Sequence, residues 1–230
     1  YLLSSNFAEV ITIFAAIMLK MPLPLLPVQL LWINLVTDSL PAIALGMEPY
    51  EMAIMKRPPR NPREGIVTQG IMAYLVAVGF ITAAAVLSLF YLAGMRVEEA
   101  RTVAFTFFVV VEKFIAYNFR SFGPFYKVSF ISNKHLLLAC AISFPLQVAI
   151  VYVPFLNPIF DTVPLPWWDW LEIIGASFAV FGVVEGIKQV FLHFERKAQR
   201  PKAPKKTKIK RIKVRREKWP EGVVLQRNPL

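Results

Sequence analysis

Thiol and imidazole are scarce in this chain. Cys140 is its single cysteine, and His135 and His193 are its two histidines. One cysteine excludes an internal disulfide framework, and Cys140 and His135 read as packing and interface residues. Charge is scarce too, except at one end. Residues 66–94 carry no Asp, Glu, Lys or Arg. Residues 1–194 hold 12 basic and 12 acidic side chains and cancel, so the whole net charge of +11 belongs to residues 195–230, with 14 basic and 3 acidic. No nucleic-acid-reading module accompanies that tail, so nucleic acid is not an expected partner. Anionic lipid head groups suit it, at about 1 kcal/mol per Lys or Arg near the surface; so does a solvated, disordered state. There is no internal repeat, no soluble domain and no signal-peptide pattern. The chain opens at Tyr1 inside an apolar run, which predicts a piece of something longer.

What the chain has is long apolar runs. They cover residues 1–19, 25–47, 66–94, 103–119, 136–153 and 167–194. Most reach the roughly 20 residues that a membrane-crossing helix needs. Trp167, Trp168 and Trp170 open the last run as an interfacial aromatic belt would. The expected fold is therefore all-α: a bundle of six transmembrane helices over residues 1–194, followed by a basic tail over 195–230. Basic residues orient it. Loop 48–65 has Lys56, Arg57, Arg60 and Arg63; loop 120–135 has Arg120, Lys127 and Lys134; the alternate loops have Lys20, then Arg96 and Arg101, then none. The positive-inside rule puts the first two loops, the tail and both chain ends in the cytoplasm.

Polar groups inside these runs are few. They are Asn6 and Glu9 in the first, Asn34, Thr37 and Asp38 in the second, and Glu112, Lys113 and Asn118 in the fourth. A charge near the middle of a membrane helix costs about 2.5–3.5 kcal/mol or more, so such residues face a protein interior and serve a purpose. Asn34, Thr37 and Asp38 stand at i, i+3 and i+4, on one helical face. Pro41 has no N–H for the carbonyl of Thr37, which frees another oxygen beside them. Oxygens converging where a membrane helix is weakened are how transporters hold cations. Carboxylates, amides, hydroxyls and carbonyls suit a hard cation such as Ca²⁺; no Cys or His is among them. For Asn118 and Ser4 the plainer reading is bonding between neighbouring helices. Three carboxylates in three spans make poor glue, because they repel one another.

Two stretches carry a resemblance. Tyr1-Leu2-Leu3-Ser4-Ser5-Asn6-Phe7-Ala8-Glu9 is the first. The second runs from Leu26 to Gly46 through Trp32-Ile33-Asn34-Leu35-Val36-Thr37-Asp38-Ser39-Leu40-Pro41. Together they closely resemble the type II P-type cation pumps, nearest the sarco/endoplasmic reticulum calcium pump and its prokaryotic relatives. Met55-Lys56-Arg57-Pro58-Pro59-Arg60 is similar to the loop that follows the sixth helix of that family, which lies against the phosphorylation domain. The likeness covers residues 1–194 and is most specific over 1–65. It implies that the six spans are helices five to ten of a ten-helix transporter in a prokaryotic plasma membrane. It also implies a ligand set. Asn6 and Glu9 match one calcium site's ligands on the fifth helix, Thr37 and Asp38 those on the sixth, and Glu112 the one on the eighth. Asn34 and Asp38 match the sixth-helix ligands of a second site, completed by the fourth helix.

The resemblance thus implies the C-terminal membrane domain of an ATP-driven calcium pump. Its partner would be the N-terminal part, with the first four helices and the phosphorylation, nucleotide and actuator domains, through which ATP and Mg²⁺ would act. This stretch alone is not expected to hydrolyse ATP. A carboxylate cluster that has released its cation in a low dielectric takes up protons, so proton counter-transport is expected. The alternatives are a pump for Mn²⁺ or a monovalent cation such as Na⁺, or a non-enzymatic orphan membrane module. Two residues depart from the family. Ser39 stands where calcium pumps often have Gly. Lys113 follows Glu112; one helical step turns it about 100°, toward another helix or away, or else its ammonium reaches the cation site as a built-in counterion.

Overall fold

Why each helix stops where it does is legible in its end residues. The computed structural model describes residues 1–49, 67–92, 96–121, 123–125 and 128–198. The basic cluster Lys56, Arg57, Arg60 and Arg63 and nearly all of the tail over 195–230 lie outside the described residues. The first helix, α1 (Leu2–Met18), ends at Leu19. Lys20 follows with a φ of 56°, and the N–H of Met21 reaches back to the carbonyl of Ala16 at 2.9 Å. A left-handed residue closing such a long back-bond is a common helix terminator, and Pro22 forbids resumption. Helix α2 (Pro27–Trp32) begins with Pro27 in its first turn, where a missing N–H costs nothing. It continues into a π-helical turn, Ile33–Thr37, and then α3 (Ser39–Gly46).

The remaining helices are α4 (Gln69–Leu92), α5 (Val97–Phe119), α6 (Lys134–Tyr152), the short α7 (Asn157–Phe160) and α8 (Trp167–Ala198). Asn133 caps α6 by accepting the N–H of Leu136 at 2.9 Å. All regular elements among the described residues are helical, as an all-α chain requires. Five segments are long and apolar enough to cross a membrane: Pro27–Gly46, Gln69–Leu92, Val97–Phe119, Lys134–Tyr152 and Trp167–Leu192. The sixth expected span, α1, has 17 residues, or about 25 Å of helix against a hydrocarbon core of about 30 Å.

Helix α5 is the axis of the bundle. Its Phe105, Phe107 and Phe108 are fully buried, and α5 packs on α4, α6 and α8. Outward positions on the other helices are apolar: Val10, Phe14, Leu31, Leu35, Phe80 and Phe178 are all exposed. Trp167 and Trp168 are exposed at the start of α8, where an aromatic belt was expected. Trp170 instead donates its indole N–H to the Tyr152 hydroxyl at 2.8 Å, and that hydroxyl donates to the Leu165 carbonyl at 2.6 Å.

Two polar clasps hold the ends. Arg120 donates to the Glu48 carboxylate at 2.8 and 3.0 Å, and the Asn133 amide donates to Glu48 at 2.6 Å and to the Ala44 carbonyl at 2.8 Å. This ties the end of α3 to α5 and α6. At the opposite end Arg101 pairs with Asp161 and donates to the Leu23 carbonyl at 3.2 Å. Between the clasps α1 lies close on α4, because Gly79 presents no side chain. A Cβ there would stand 2.6 Å from the Phe7 ring and 3.3 Å from the Ser4 carbonyl oxygen. Gly79→Val should force the two helices apart and destabilise the protein by about 1–3 kcal/mol. A thermal unfolding midpoint in detergent equal to the parent's would show that the two helices have room to spare.

Candidate cation site

The site begins with a defect in the second span. Pro41 cannot donate to Thr37, and the helix accommodates this over Ile33–Thr37 by widening to a π turn, in which the Asp38 N–H bonds the Ile33 carbonyl at 2.8 Å. Such turns occur often at functional sites. Two side chains repair the backbone. The Ser39 hydroxyl donates to the Asn34 carbonyl at 2.9 Å. The Lys113 ammonium, from α5, donates to the Thr37 carbonyl at 2.6 Å. That freed carbonyl, expected from Pro41 alone, is thus in contact with a cation of the protein itself.

Around the defect three carboxylates are buried: Glu9 on α1, Asp38 after the π turn and Glu112 on α5, exposed by 7%, 0% and 1%. Asp38 and Glu112 meet through one hydroxyl. Ser5 donates to Asp38 Oδ2 at 2.6 Å and also contacts Glu112 Oε1. A hydroxyl has one hydrogen, so it can donate to only one of these oxygens at a time. Asp38 Oδ1 accepts from the Tyr1 hydroxyl at 2.8 Å and lies 3.5 Å from the Lys113 ammonium. Glu9 has a separate partner: the Asn34 amide donates to its two oxygens at 2.9 and 2.7 Å. Glu112 Oε2 has no hydrogen-bond partner among the described residues.

The six residues singled out from sequence therefore divide. Glu9 and Asn34 form one pair, and Asp38 and Glu112 another. Thr37 is buried, with its hydroxyl on the Ile33 carbonyl at 3.1 Å and its own carbonyl toward Lys113. Asn6 is exposed on α1 and takes no part in these bonds. Among the described residues, no three acidic, histidine or cysteine side chains converge closely enough to grip a metal ion by themselves. The acids instead hold amide and hydroxyl partners, and several uncharged oxygens stand beside them.

Tyr1 and Ser5 escaped the reading of polar residues. The signal was present: Tyr1, Ser5 and Glu9 form an i, i+4 row, one helical face. Asn118 behaves as the interhelical group it was expected to be: its side-chain oxygen accepts from the Lys188 ammonium of α8 at 3.4 Å, and its amide donates to the Phe181 carbonyl of α8 at 3.5 Å. Ser4 does not, because its hydroxyl bonds the Tyr1 carbonyl of its own helix at 2.7 Å. A cavity of about 590 Å³ lies between Leu3, Leu45, Tyr74, Phe119 and Lys188; its walls are mostly apolar, and it is not where the carboxylates meet.

Comparison with known proteins adds an independent finding. Residues 22–190 match the family model described as cation transporting ATPase, C-terminus. A calcium-transporting ATPase of Bacillus subtilis is 38% identical over 181 residues, 77% of this chain and 20% of that protein. The endoplasmic reticulum calcium ATPase srcA of Aspergillus fumigatus is 33% identical over 223 residues, 82% of this chain and 23% of that protein. A probable cation-transporting ATPase F of Mycobacterium tuberculosis is 34% identical over 186 residues, 79% and 21% of the two chains. The chain thus spans about a fifth of the length of the relatives it matches.

The Glu9–Asn34 pair makes a direct prediction. Asn34→Ala leaves a buried carboxylate without its donor, at a cost of about 1–3 kcal/mol. Thermal unfolding in detergent should register that loss; an unchanged midpoint would mean that the amide does not support Glu9.

Proposed function

The chain belongs to the C-terminal family of cation-transporting ATPases, the part found in P-type calcium pumps, and from that premise we propose that it supplies cation ligands in the membrane domain of an ATP-driven calcium pump. Calcium is the transported substrate. Glu9, Asp38 and Glu112 bind it as carboxylates, with Asn6, Asn34 and Thr37 as the uncharged ligands. Six spans over 1–194, counted as helices five to ten with α1 as the short first, carry the site, and both chain ends and the basic tail over 195–230 lie in the cytoplasm of a prokaryotic plasma membrane.

The observation that carries the reading is the joining of three helices at one buried polar cluster. Asp38 reaches α1 through Tyr1 and Ser5 and meets α5 through Ser5 and Lys113. The widened turn beside it supports the reading further, since irregular backbone inside a membrane is tolerated where it serves a binding cavity. Asn6 supports a completed site only when another part of the pump covers the exposed side of α1, and that part is the proposed partner. Calcium takes six to eight oxygens, and its arrival exchanges the bonds of Asn34, Ser5 and Tyr1 for bonds to the ion.

Proton counter-transport follows from the same cluster. Three buried carboxylates cannot stay ionised together without a cation, so release of calcium draws protons onto at least some of them. The energy comes from phosphorylation in the N-terminal part, using ATP and Mg²⁺, and reaches these helices through loop 48–65 and the cytoplasmic extension of the first span. The Mycobacterium relative, named only for cations, supports a second reading in which the ion is Mn²⁺ or Na⁺. Calcium-dependent against sodium- or manganese-dependent ATPase activity of the intact pump separates these.

Asp38 is the acid that meets Tyr1 and Ser5 on one side and Lys113 on the other, so its charge is the one to remove. Asp38→Asn in the intact pump should abolish calcium-dependent phosphorylation from ATP while leaving the protein in the membrane. Phosphorylation that still requires calcium, at the parent's affinity, would refute the assignment.

A further inference from the structure

We propose that Glu48, Arg120 and Asn133 are positioning residues for the cation site: by fixing how far α3 is advanced along α5, they set the spacing of Asp38 and Glu112, and with it the affinity and size selectivity for the ion. The inference rests on the proposed calcium site and adds what holds its acids in register.

Three observations lead to it. First, this clasp is more complete than the end of a helix needs. Arg120 follows the last residue of α5, and sequence alone counts it among the basic residues that orient the bundle. Its side chain is nevertheless only 2% exposed. Its Nε and Nη2 grip the two Glu48 oxygens at 3.0 and 2.8 Å. Nη1 donates to the Ser129 carbonyl at 3.2 Å, and Nη2 also to the Ser132 hydroxyl at 2.5 Å. A buried, forked pair fixes geometry as well as charge. Asn133 adds a tie from α6: its amide donates to Glu48 and to the Ala44 carbonyl while its oxygen caps α6. At the opposite end of the bundle, Arg101 pairs with Asp161, whose side chain is 49% exposed, and exposed pairs hold little.

Second, the clasp and the acids stand at the two ends of one frame. Asp38 precedes α3 and Glu48 lies just beyond its end, so the helix between them is about 12 Å long. On α5, Glu112 and Arg120 are also about 12 Å apart. With both helices rigid, the register set at Glu48 and Arg120 is the register found at Asp38 and Glu112. Third, the apolar contact between the two ends does little to set that register. It runs through Ala44, Ala116 and Ala139, small side chains that let backbones approach but offer little relief to key one helix along another. Cavity size and flexibility decide which ion a ring of oxygens prefers, and ligands held loosely by about 1 Å make a poor site. Freeing the clasp therefore lets the acids spread from calcium or close on a smaller ion such as Mn²⁺.

The test is ATPase activity of the intact pump against calcium and manganese concentration. Glu48→Gln and Arg120→Gln should each raise the calcium concentration for half-maximal activity about tenfold, with turnover at saturating calcium near the parent's, and should narrow the preference for calcium over manganese. Glu48→Asp, shorter but still charged, should fall between them and the parent. A clasp that serves stability alone would lower the unfolding midpoint and the yield of active pump, yet leave the half-maximal concentration and the calcium-to-manganese ratio as in the parent. That result in Glu48→Gln, or in Glu48→Asp where the stronger variants do not fold, would overturn the proposal. Asp38→Asn separates this from failure of the site itself. Calcium activation at the parent's concentration there removes the calcium-site reading and the clasp's role with it, whereas a loss there beside unchanged clasp variants removes only the clasp's part.

Discussion

A backbone carbonyl without a partner is hard to keep inside a membrane, where no bulk water can satisfy it. Pro41 creates one such carbonyl, at Thr37, and the structure around it follows from that vacancy in the helical ladder. The π turn redistributes the remaining bonds, with Asp38 N–H on Ile33. Ser39 bonds the Asn34 carbonyl and Lys113 the Thr37 carbonyl. Bringing Lys113 there brings a positive charge, and a buried positive charge requires a negative one nearby. Asp38 is that charge. The polar cluster is thus not an addition to a finished helix but the consequence of breaking one.

The broken helix is fastened at its ends and joined to its neighbours by polar side chains in the middle. Arg120, Glu48 and Asn133 fasten the end of α3, and Gln29 fastens α2 to the Phe160 carbonyl at 2.9 Å. Trp32 packs edge-on to Phe160 with ring centres 5.3 Å apart. Between these points Ile33 is packed in the apolar core, while the polar contacts are hydrogen bonds to side chains, which can be exchanged for others without opening voids. Helix α5 contributes the opposite character: its aromatic core is fully buried, and its Glu112 sits on a rigid support. In the proposed reading this division lets ligands on the kinked helix rearrange against a fixed one.

Much of this was legible from residues alone. The apolar runs fall on the helices, and Pro41 and the amide, hydroxyl and carboxylate near it marked the break. What periodicity could not supply was the geometry of the break. Asn34, Thr37 and Asp38 were expected on one face because an α-helix turns by about 100° per residue. A π turn is wider, and the three diverge: Asn34 to Glu9, the Thr37 hydroxyl to its own backbone, Asp38 to Tyr1 and Ser5. Asn6 and Glu9 are about 60° apart around α1 by the same rule, and the edge of the buried face falls between them. Ser5 went unread because a serine hydroxyl in an apolar run usually bonds its own helix, as Ser4 does, and Tyr1 because its ring reads as apolar.

Lys113 illustrates a further limit. Sequence neighbours on a helix point in directions about 100° apart, which suggests different surroundings for Glu112 and Lys113. Side-chain length defeats that inference. Glu112 stops at Ser5, one hydroxyl short of Asp38 Oδ2, while the four-carbon arm of Lys113 carries its ammonium to the vicinity of Asp38 Oδ1. Two consecutive residues of α5 therefore address the two oxygens of one carboxylate, with opposite charge. The acid cannot shed the lysine without leaving the Thr37 carbonyl unpaired. That coupling of a backbone defect to a side-chain charge ties the two residues of α5 to one carboxylate, so that neither contact changes without the other.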